Sequence, residues 1–291
     1  MKNFTRLFFV FFIMTLGAHA QQEKGIIGNN NWLNPWSEFR PMHVDYGEPT
    51  QILSGDIVAD TKLYKKHVYL LTGNVFVTNN ATLTIEPGTV IMGDSKTNGT
   101  LTISKGAKIM AEGLETDPIV FTSNQNVKKE GDWGGIIILG DAPINKYGNG
   151  SSIDYGLRPS SYENISYGGP DIYSNSGIFR YVRIEFAGKR TKDYGYFSAL
   201  TLAGVGSSTL LENIMVSYCA GNSFDIIGGD LNLSKAVSFR SSRRDYNFNY
   251  GAQCNISNSL AIRSPYVSGS GKSVCMYLAS YNKKEEVDFA K

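Results

Sequence analysis

The sequence is poor in charge, histidine and cysteine, and each shortage excludes a class of function. Charged residues make up 19% of the 291 residues, against about 25% in an average globular domain, so a disordered polyelectrolyte is excluded. A basic surplus is missing too. Lys+Arg 28 faces Asp+Glu 26, and loss of Lys2 and Arg6 with a leader would leave 26 of each. Proteins that hold nucleic acid by counterion release need a basic excess or stripe, so nucleic acid is not an expected partner. The three histidines, His19, His43 and His67, cannot assemble a His-rich zinc site or a Ser/His/Asp triad. Cys219, Cys254 and Cys275 show no C-x-x-C spacing, which removes redox and zinc roles. No metal and no cofactor is expected. Long apolar runs are also lacking: the longest, Leu7 to Leu16, is about half of the ~20 residues a membrane helix needs, so no transmembrane anchor is expected.

What is present begins with a leader. Residues 1–20 read as a secretory signal peptide, with Lys2 and Arg6 as the charged region and Ala18-His19-Ala20 as the cleavage site. The mature chain then starts near Gln21, in an extracytoplasmic location: secreted, cell surface or periplasm. No cysteine follows the cleavage site to accept a lipid. In an oxidising compartment Cys254 with Cys275 is the favoured disulfide pair; the alternative is that all three cysteines are small buried hydrophobes.

Internal self-similarity is the strongest signal. Leu83-Thr84-Ile85-Glu86-Pro87-Gly88-Thr89-Val90-Ile91-Met92 matches Leu101-Thr102-Ile103-Ser104-Lys105-Gly106-Ala107-Lys108-Ile109-Met110 at an offset of 18, and the same offset leads on to Ile119-Val120-Phe121 and Ile137-Ile138-Leu139. Apolar residues alternate within each copy, as in strands with one buried face. Glycines between the copies let the chain turn corners. The second half carries a slower beat: Ile178, Val182, Ile184, then Leu210, Ile214, Val216, then Leu233, Val237, Phe239, then Ile256, Leu260, Ile262. The last three of these trios are spaced by 23. Both beats predict an all-β fold, a parallel β-helix whose roughly nine coils stack ~4.8 Å apart over ~43 Å.

Residues 141–177, rich in Gly, Ser, Asn and Tyr, break the beat and predict a long lateral loop excursion from the helix at 67–291; residues 188–198 predict a smaller one. Residues 21–66, holding Trp32, Trp36 and Phe39, predict an N-terminal cap over the first open coil. Asp132-Trp133-Gly134-Gly135 and Gly228-Gly229 lack the Lys-Ser/Thr and following helix of a phosphate loop, and read as tight corners.

Several runs resemble a known family. Val68-Tyr69-Leu70-Leu71-Thr72-Gly73, Ala81 to Ile91, Pro118 to Ser123, Gly131 to Gly135, Tyr181 to Gly188, Ala203 to Gly206 and Ser223 to Gly229 are similar to the secreted right-handed parallel β-helix surface proteins of Bacteroidetes-type bacteria. The resemblance runs from about residue 66 to the C-terminus. It implies a right-handed helix and an extracytoplasmic location, and it carries no established activity. Such proteins often show an aspartate cluster where this chain has Ser241-Ser242-Arg243-Arg244-Asp245-Tyr246-Asn247-Phe248-Asn249. Two arginines beside a lone carboxylate oppose a calcium ion.

The slower beat places Glu185, Ser217, Arg240 and Arg263 at one outward position on successive coils. Arg240 and Arg263 then become neighbours and a candidate site for an acidic ligand such as a uronate or phosphate. The competing reading is a solvated ladder balanced by Asp225 or Asp245. The ligand-binding candidates are therefore Arg240, Arg263, Glu185 and Asp225, and no catalytic residue is assigned. Tyr147, Tyr155, Tyr162, Tyr167 and Tyr173 could stack on sugar rings or pack the excursion against the coil. The favoured function is an exported, non-catalytic surface scaffold binding an acidic glycan or an envelope protein. The runner-up is a polysaccharide lyase or hydrolase of the pectate-lyase-like fold, which needs a carboxylate cluster such as Asp225, Asp230 and Asp245 converging in a groove. A third reading is an accessory subunit of an outer-membrane machine.

Overall fold

A computed structural model describes residues 31–192, 194–264 and 273–280. The chain divides into two compact units, Met1–Asn34 and Pro35–Lys291. In the first, residues 31–34 form a turn in which Asn34 N–H donates to Asn31 O at 3.3 Å. The signal peptide expected over residues 1–20 lies outside the described residues.

The second unit is a right-handed parallel β-helix. Among the described residues eighteen strands join in one sheet, and its ladders run parallel throughout. Each coil makes three straight runs, so the sheet folds into three walls. The first wall carries Thr61–Leu63, Thr82–Ile85 and Lys108–Glu112. It continues through the opening halves of Gly177–Glu185, Leu210–Ser217 and Asp230–Phe239 to Gln253–Ser257. The second wall carries the start of Val68–Val77, then Val90–Gly93 and Ile119–Ser123, the closing halves of those three long strands, and Leu260–Ile262. The third carries the end of Val68–Val77, then Thr100–Ile103, Gly135–Leu139, Leu200–Ala203, Phe224–Ile227, Tyr246–Asn249 and Met276–Leu278.

Among the described residues, seven complete coils follow a partial one, Gln51–Ile57, which pairs with Val68–Val77. The count falls below the nine expected because the 18-residue beat does not step from coil to coil. Leu83 pairs with Ile109 on the first wall, whereas Leu101 pairs with Val75 and Ile136 on the third. The two matching decapeptides are each a wall, a glycine corner and the next wall. They look alike because each wall obeys the same rule of alternating burial.

Inward side chains fill the coil without a gap between walls: Leu83, Ile109 and Phe179 from the first, Ile91, Phe121 and Ile184 from the second, Leu101, Ile136 and Leu202 from the third, all at most 2% exposed. Aromatic rings stack between floors, Phe121 on Phe179 at 6.3 Å and Phe224 on Tyr246 at 5.2 Å. In the last four coils the bend between first and second walls is marked by one left-handed residue, Tyr181, Asn213, Lys235 or Asn258, with φ of 49–52°. That single residue lets one strand serve two walls, and it accounts for the four-residue gap within each trio.

Two segments clothe the outside. The excursion leaves after Leu139, forms a short antiparallel pair, Ser151–Ser152 with Ser166–Tyr167, and rejoins at Gly177. Its Ile144, Ile153, Leu157, Ile165 and Tyr167 build a second apolar cluster on the third wall with Phe76, Ile137, Leu139, Ala203 and Ile227. The other segment corrects an expectation. Residues 51–63 already belong to the coil, and Trp36 and Phe39, expected to cap the first coil, lie along later ones. Trp36 meets Tyr181 edge-on at 6.1 Å, Glu38 N–H donates to Met215 Sδ at 3.3 Å, and Phe39 meets Phe239 at 5.1 Å. Residues 35–48 are thus a strap over the second wall. That wall needs one, because Val120, Met215 and Val237 are apolar on its outward side yet at most 3% exposed.

Candidate functional site

The arginine ladder is present, one rung displaced from its expected partners. Glu185 pairs with Ser217, Ser217 with Phe239 and Phe239 with Ile262. Leu211, not Leu210, faces Leu233, so the step there is 22 residues rather than 23. A one-residue slip exchanges the faces of a strand. Arg240 and Arg263 accordingly follow the rung that holds Glu185 and share a corner with Phe186 and Tyr218. The backbone repeats this column: Phe186 N–H donates to Ser217 O, Tyr218 N–H to Phe239 O and Arg240 N–H to Ile262 O at 3.0, 2.9 and 2.7 Å. Phe186 and Tyr218 stack at 5.5 Å, and the Arg240 guanidinium lies 5.6 Å from the Tyr218 ring and 5.3 Å from that of Phe239.

The two arginines do different things. Arg263 donates to Asp245 Oδ2 at 2.5 Å, to the carbonyls of Val274 and Arg243 at 3.1 and 2.9 Å, and to Ser273 Oγ. It is a strut between coils. Asp245, 0% exposed, also accepts from Ser238 Oγ at 2.5 Å. Burial raises its pKa, and the bonds from Ser238 and Arg263 oppose the rise. Arg240 has no carboxylate within salt-bridge range among the described residues. A small recess of about 70 Å³ joins Arg240 and Arg263 with Glu130, Tyr218 and Ser242, and Ser242 Oγ donates to Glu130 Oε2 at 2.6 Å. Asp245 therefore balances Arg263, Glu130 is held by Ser242 at the edge of the recess, and Asp225 lies elsewhere.

Asp225 sits on the outward side of the third wall, between Thr201 and Asn247. Its Oδ1 accepts from Asn247 Nδ2 at 2.6 Å and its Oδ2 from Ser198 Oγ at 3.0 Å. Burial pushes its pKa up, with the amide and hydroxyl donors pulling the other way. Asp230 borders a separate cleft with Asn145 and Gln253. Asp225, Asp230 and Asp245 do not converge, and among the described residues no three His, Cys, Asp or Glu side chains gather as a metal site would require.

Glu185, 1% exposed, is enclosed by the strap. Its Oε1 accepts from Tyr46 Oη at 2.9 Å and lies 3.6 Å from Arg183 Nε, while Arg183 Nη2 donates to Tyr46 Oη at 3.0 Å. Burial raises the Glu185 pKa, with the Arg183 charge opposing, and burial beside Glu185 raises that of Tyr46. The relay fixes the strap; as a ligand site for an outside molecule Glu185 is closed.

The favoured Cys254–Cys275 disulfide is absent: all three cysteines are free thiols. Cys254 lies on the first wall opposite Leu231, and Cys275 leads into the third. Cys219 is wholly buried, and burial pushes its thiol up to about 12. The alternative, that all three are small buried hydrophobes, holds for Cys219 alone, because Cys254 is half-buried and Cys275 exposed.

Trp133 and its glycines form a corner, as expected: the indole donates to Glu185 O at 2.7 Å, and Gly93 lies so close that an added Cβ would stand 2.4 Å from the ring. Residues 55–270 match the family model described as a pectate-lyase like beta helix domain. The chain belongs to that family. The match covers well over half of the sequence and agrees with the three-walled parallel coil. No curated protein and no solved structure matches the chain. Family membership accounts for the scaffold; the strap relay through Tyr46, and the partnership of Arg240 with Tyr218, had no signature in the apolar pattern. The signal that could have exposed the latter is the regular recurrence of Phe186, Tyr218 and Arg240 immediately after each second-wall strand.

Proposed function

We propose that the protein is an exported, non-catalytic β-helix scaffold that binds glycans, acidic ones included, or a neighbouring envelope protein. The observation that supports this reading is how the charged candidates are employed. Asp225, Asp245 and Arg263 each bond two or more coil neighbours, so their polar groups serve the fold. What remains outward is aromatic. Tyr147, Tyr162 and Tyr173 of the excursion are 78%, 69% and 67% exposed, while Tyr167 is buried in the excursion's own cluster and Tyr155 packs against it. Exposed phenol rings offer apolar faces to sugar rings and a hydroxyl at the rim. Arg240, held over Tyr218, adds a positive group suited to a carboxylate or phosphate on the glycan. The leader at residues 1–20 supports delivery outside the cytoplasm.

A glycan array tests this with the mature chain, a Tyr147→Ala/Tyr162→Ala/Tyr173→Ala variant and Arg240→Ala. The triple variant should lose glycan binding broadly, and Arg240→Ala should lose acidic glycans selectively. Equal binding by all three proteins removes these residues from the site. The family's description favours one other reading, a polysaccharide lyase or hydrolase; depolymerisation of an acidic polysaccharide by the purified chain would replace the scaffold with that enzyme.

A further inference from the structure

The strap does more than cover a wall, because it also forms one side of a cleft. Residues 42–48 face the turn at residues 123–128 across a space of about 340 Å³, with Met92 among the groups lining it. That volume is within the range of small-molecule sites, roughly 300–1,000 Å³. The two sides are some 80 positions apart in sequence, and Tyr46, pinned by Arg183 and Glu185, holds the strap's side in place. A side held by such a buried relay is preorganised.

The polar groups around the cleft are mixed in sign and largely uncommitted. Glu48, Asn126, His43 and Lys128 line it, and their side chains make no hydrogen bond or ion pair within the described residues. Asp45 Oδ1 accepts from Gly47 N–H at 2.9 Å, leaving Oδ2 outward, and Gln125 spends its amide nitrogen on Asn124 Oδ1 at 2.9 Å, leaving Oε1. An anion would meet Asp45 and Glu48, and a cation would meet Lys128. An apolar ligand would strand all of these groups without partners. A neutral polyol satisfies them, since each hydroxyl both donates and accepts and two adjacent hydroxyls can bridge one carboxylate. Met92 and the Tyr46 ring supply the apolar contact for a C–H face.

We propose that the cleft between the strap and the 123–128 turn binds one neutral sugar unit, through Glu48, Gln125 and Asn126. The ligand class rests on the glycan reading above; the place does not, because this cleft lies on the second wall and the exposed tyrosines belong to the excursion on the third. Titration of the mature chain with the methyl glycosides of glucose, galactose, mannose and N-acetylglucosamine, followed by saturation-transfer NMR and calorimetry, tests it. At least one should bind, about tenfold or more weaker in Glu48→Gln/Gln125→Ala, which removes one charged and one neutral hydrogen bond. The triple tyrosine variant should bind it as the parent does. Both altered residues face solvent or the cleft rim, and an unchanged denaturation midpoint checks that the double variant is folded. Equal affinity for parent and double variant overturns the site, and so does binding that the triple tyrosine variant alone loses, though the glycan reading survives both. Acidic glycans binding where no neutral glycoside does would likewise overturn this site and keep that reading. Absence of binding by every glycan overturns both.

Discussion

The second and third walls are both roofed, and by different physics. The excursion seals the third wall with an apolar cluster, Ile153, Leu157, Ile165 and Tyr167 against Phe76, Ile137 and Ile227, where stability scales with area removed from water. The strap seals the second wall with Trp36 and Phe39 and with a buried Arg183–Tyr46–Glu185 relay. The first wall has no such roof among the described residues; it carries alternating charges, Glu112, Arg180, Glu212 and Lys235, each paired with the next. An apolar roof tolerates small errors and ignores pH. A charged relay is held only while each partner stays in place.

The sharpest way to break this contrast is to remove one member of the relay. Arg183→Met should lower the unfolding free energy by about 3–5 kcal/mol, read from denaturant midpoints, because it leaves Glu185 buried beside a neutral group. Arg183→Met/Glu185→Leu should regain more than half of that loss. A single variant that costs under about 1 kcal/mol would mean that water, not the relay, satisfies Glu185. In the apolar roof, Ile165→Ala should cost about 2–4 kcal/mol by the same measurement, with no change between acid and neutral pH.

Buried carboxyl groups, one in the relay and two outside it, also predict a pH profile. The carboxyl groups of Glu185, Asp225 and Asp245 are all raised by burial. Between the ordinary carboxylate range and these raised values the folded chain binds more protons than the unfolded chain, so stability falls as pH rises through that window. The contribution is fully present below the ordinary range, about pH 4. Denaturation midpoints should therefore increase from neutral toward mildly acid pH, and Glu185→Gln should flatten part of the slope. A midpoint that instead falls over that interval would show the three groups to be ionised and well satisfied when folded. The smallest effect belongs to the unroofed wall: Lys235→Ala should change stability by under about 1 kcal/mol and only at low salt, as half-exposed ion pairs do.

Much of the coil was legible because alternation of apolar residues is a local property. Leu83 and Ile85, or Leu101 and Ile103, announce a strand with one buried face wherever they stand. For the same reason the pattern could not tell which wall a strand belongs to, and Leu101 was matched to Leu83 although it lies on another side of the coil. The trios of the second half came closer, since their left-handed corner residues mark a fixed place on each coil; the slip arose where Leu211 rather than Leu210 meets Leu233. Among the site candidates, the adjacency of Arg240 and Arg263 was readable from spacing. Their separate employment was not, because the length of an arginine side chain lets it choose among several partners, and Asp245 and Tyr218 were available to only one each.

Chain periodicity by itself determined that the molecule is a parallel coil with an excursion at 141–177, because many short strands with alternate apolar residues can bury those residues on floors stacked above and below. Tertiary structure alone decided that residues 35–48 lie along the second wall, that Glu185 is closed by Tyr46, and that a polar cleft opens beside it. Those outcomes depend on which distant surface a polar, aperiodic segment meets, and a segment without a beat carries no record of its partner.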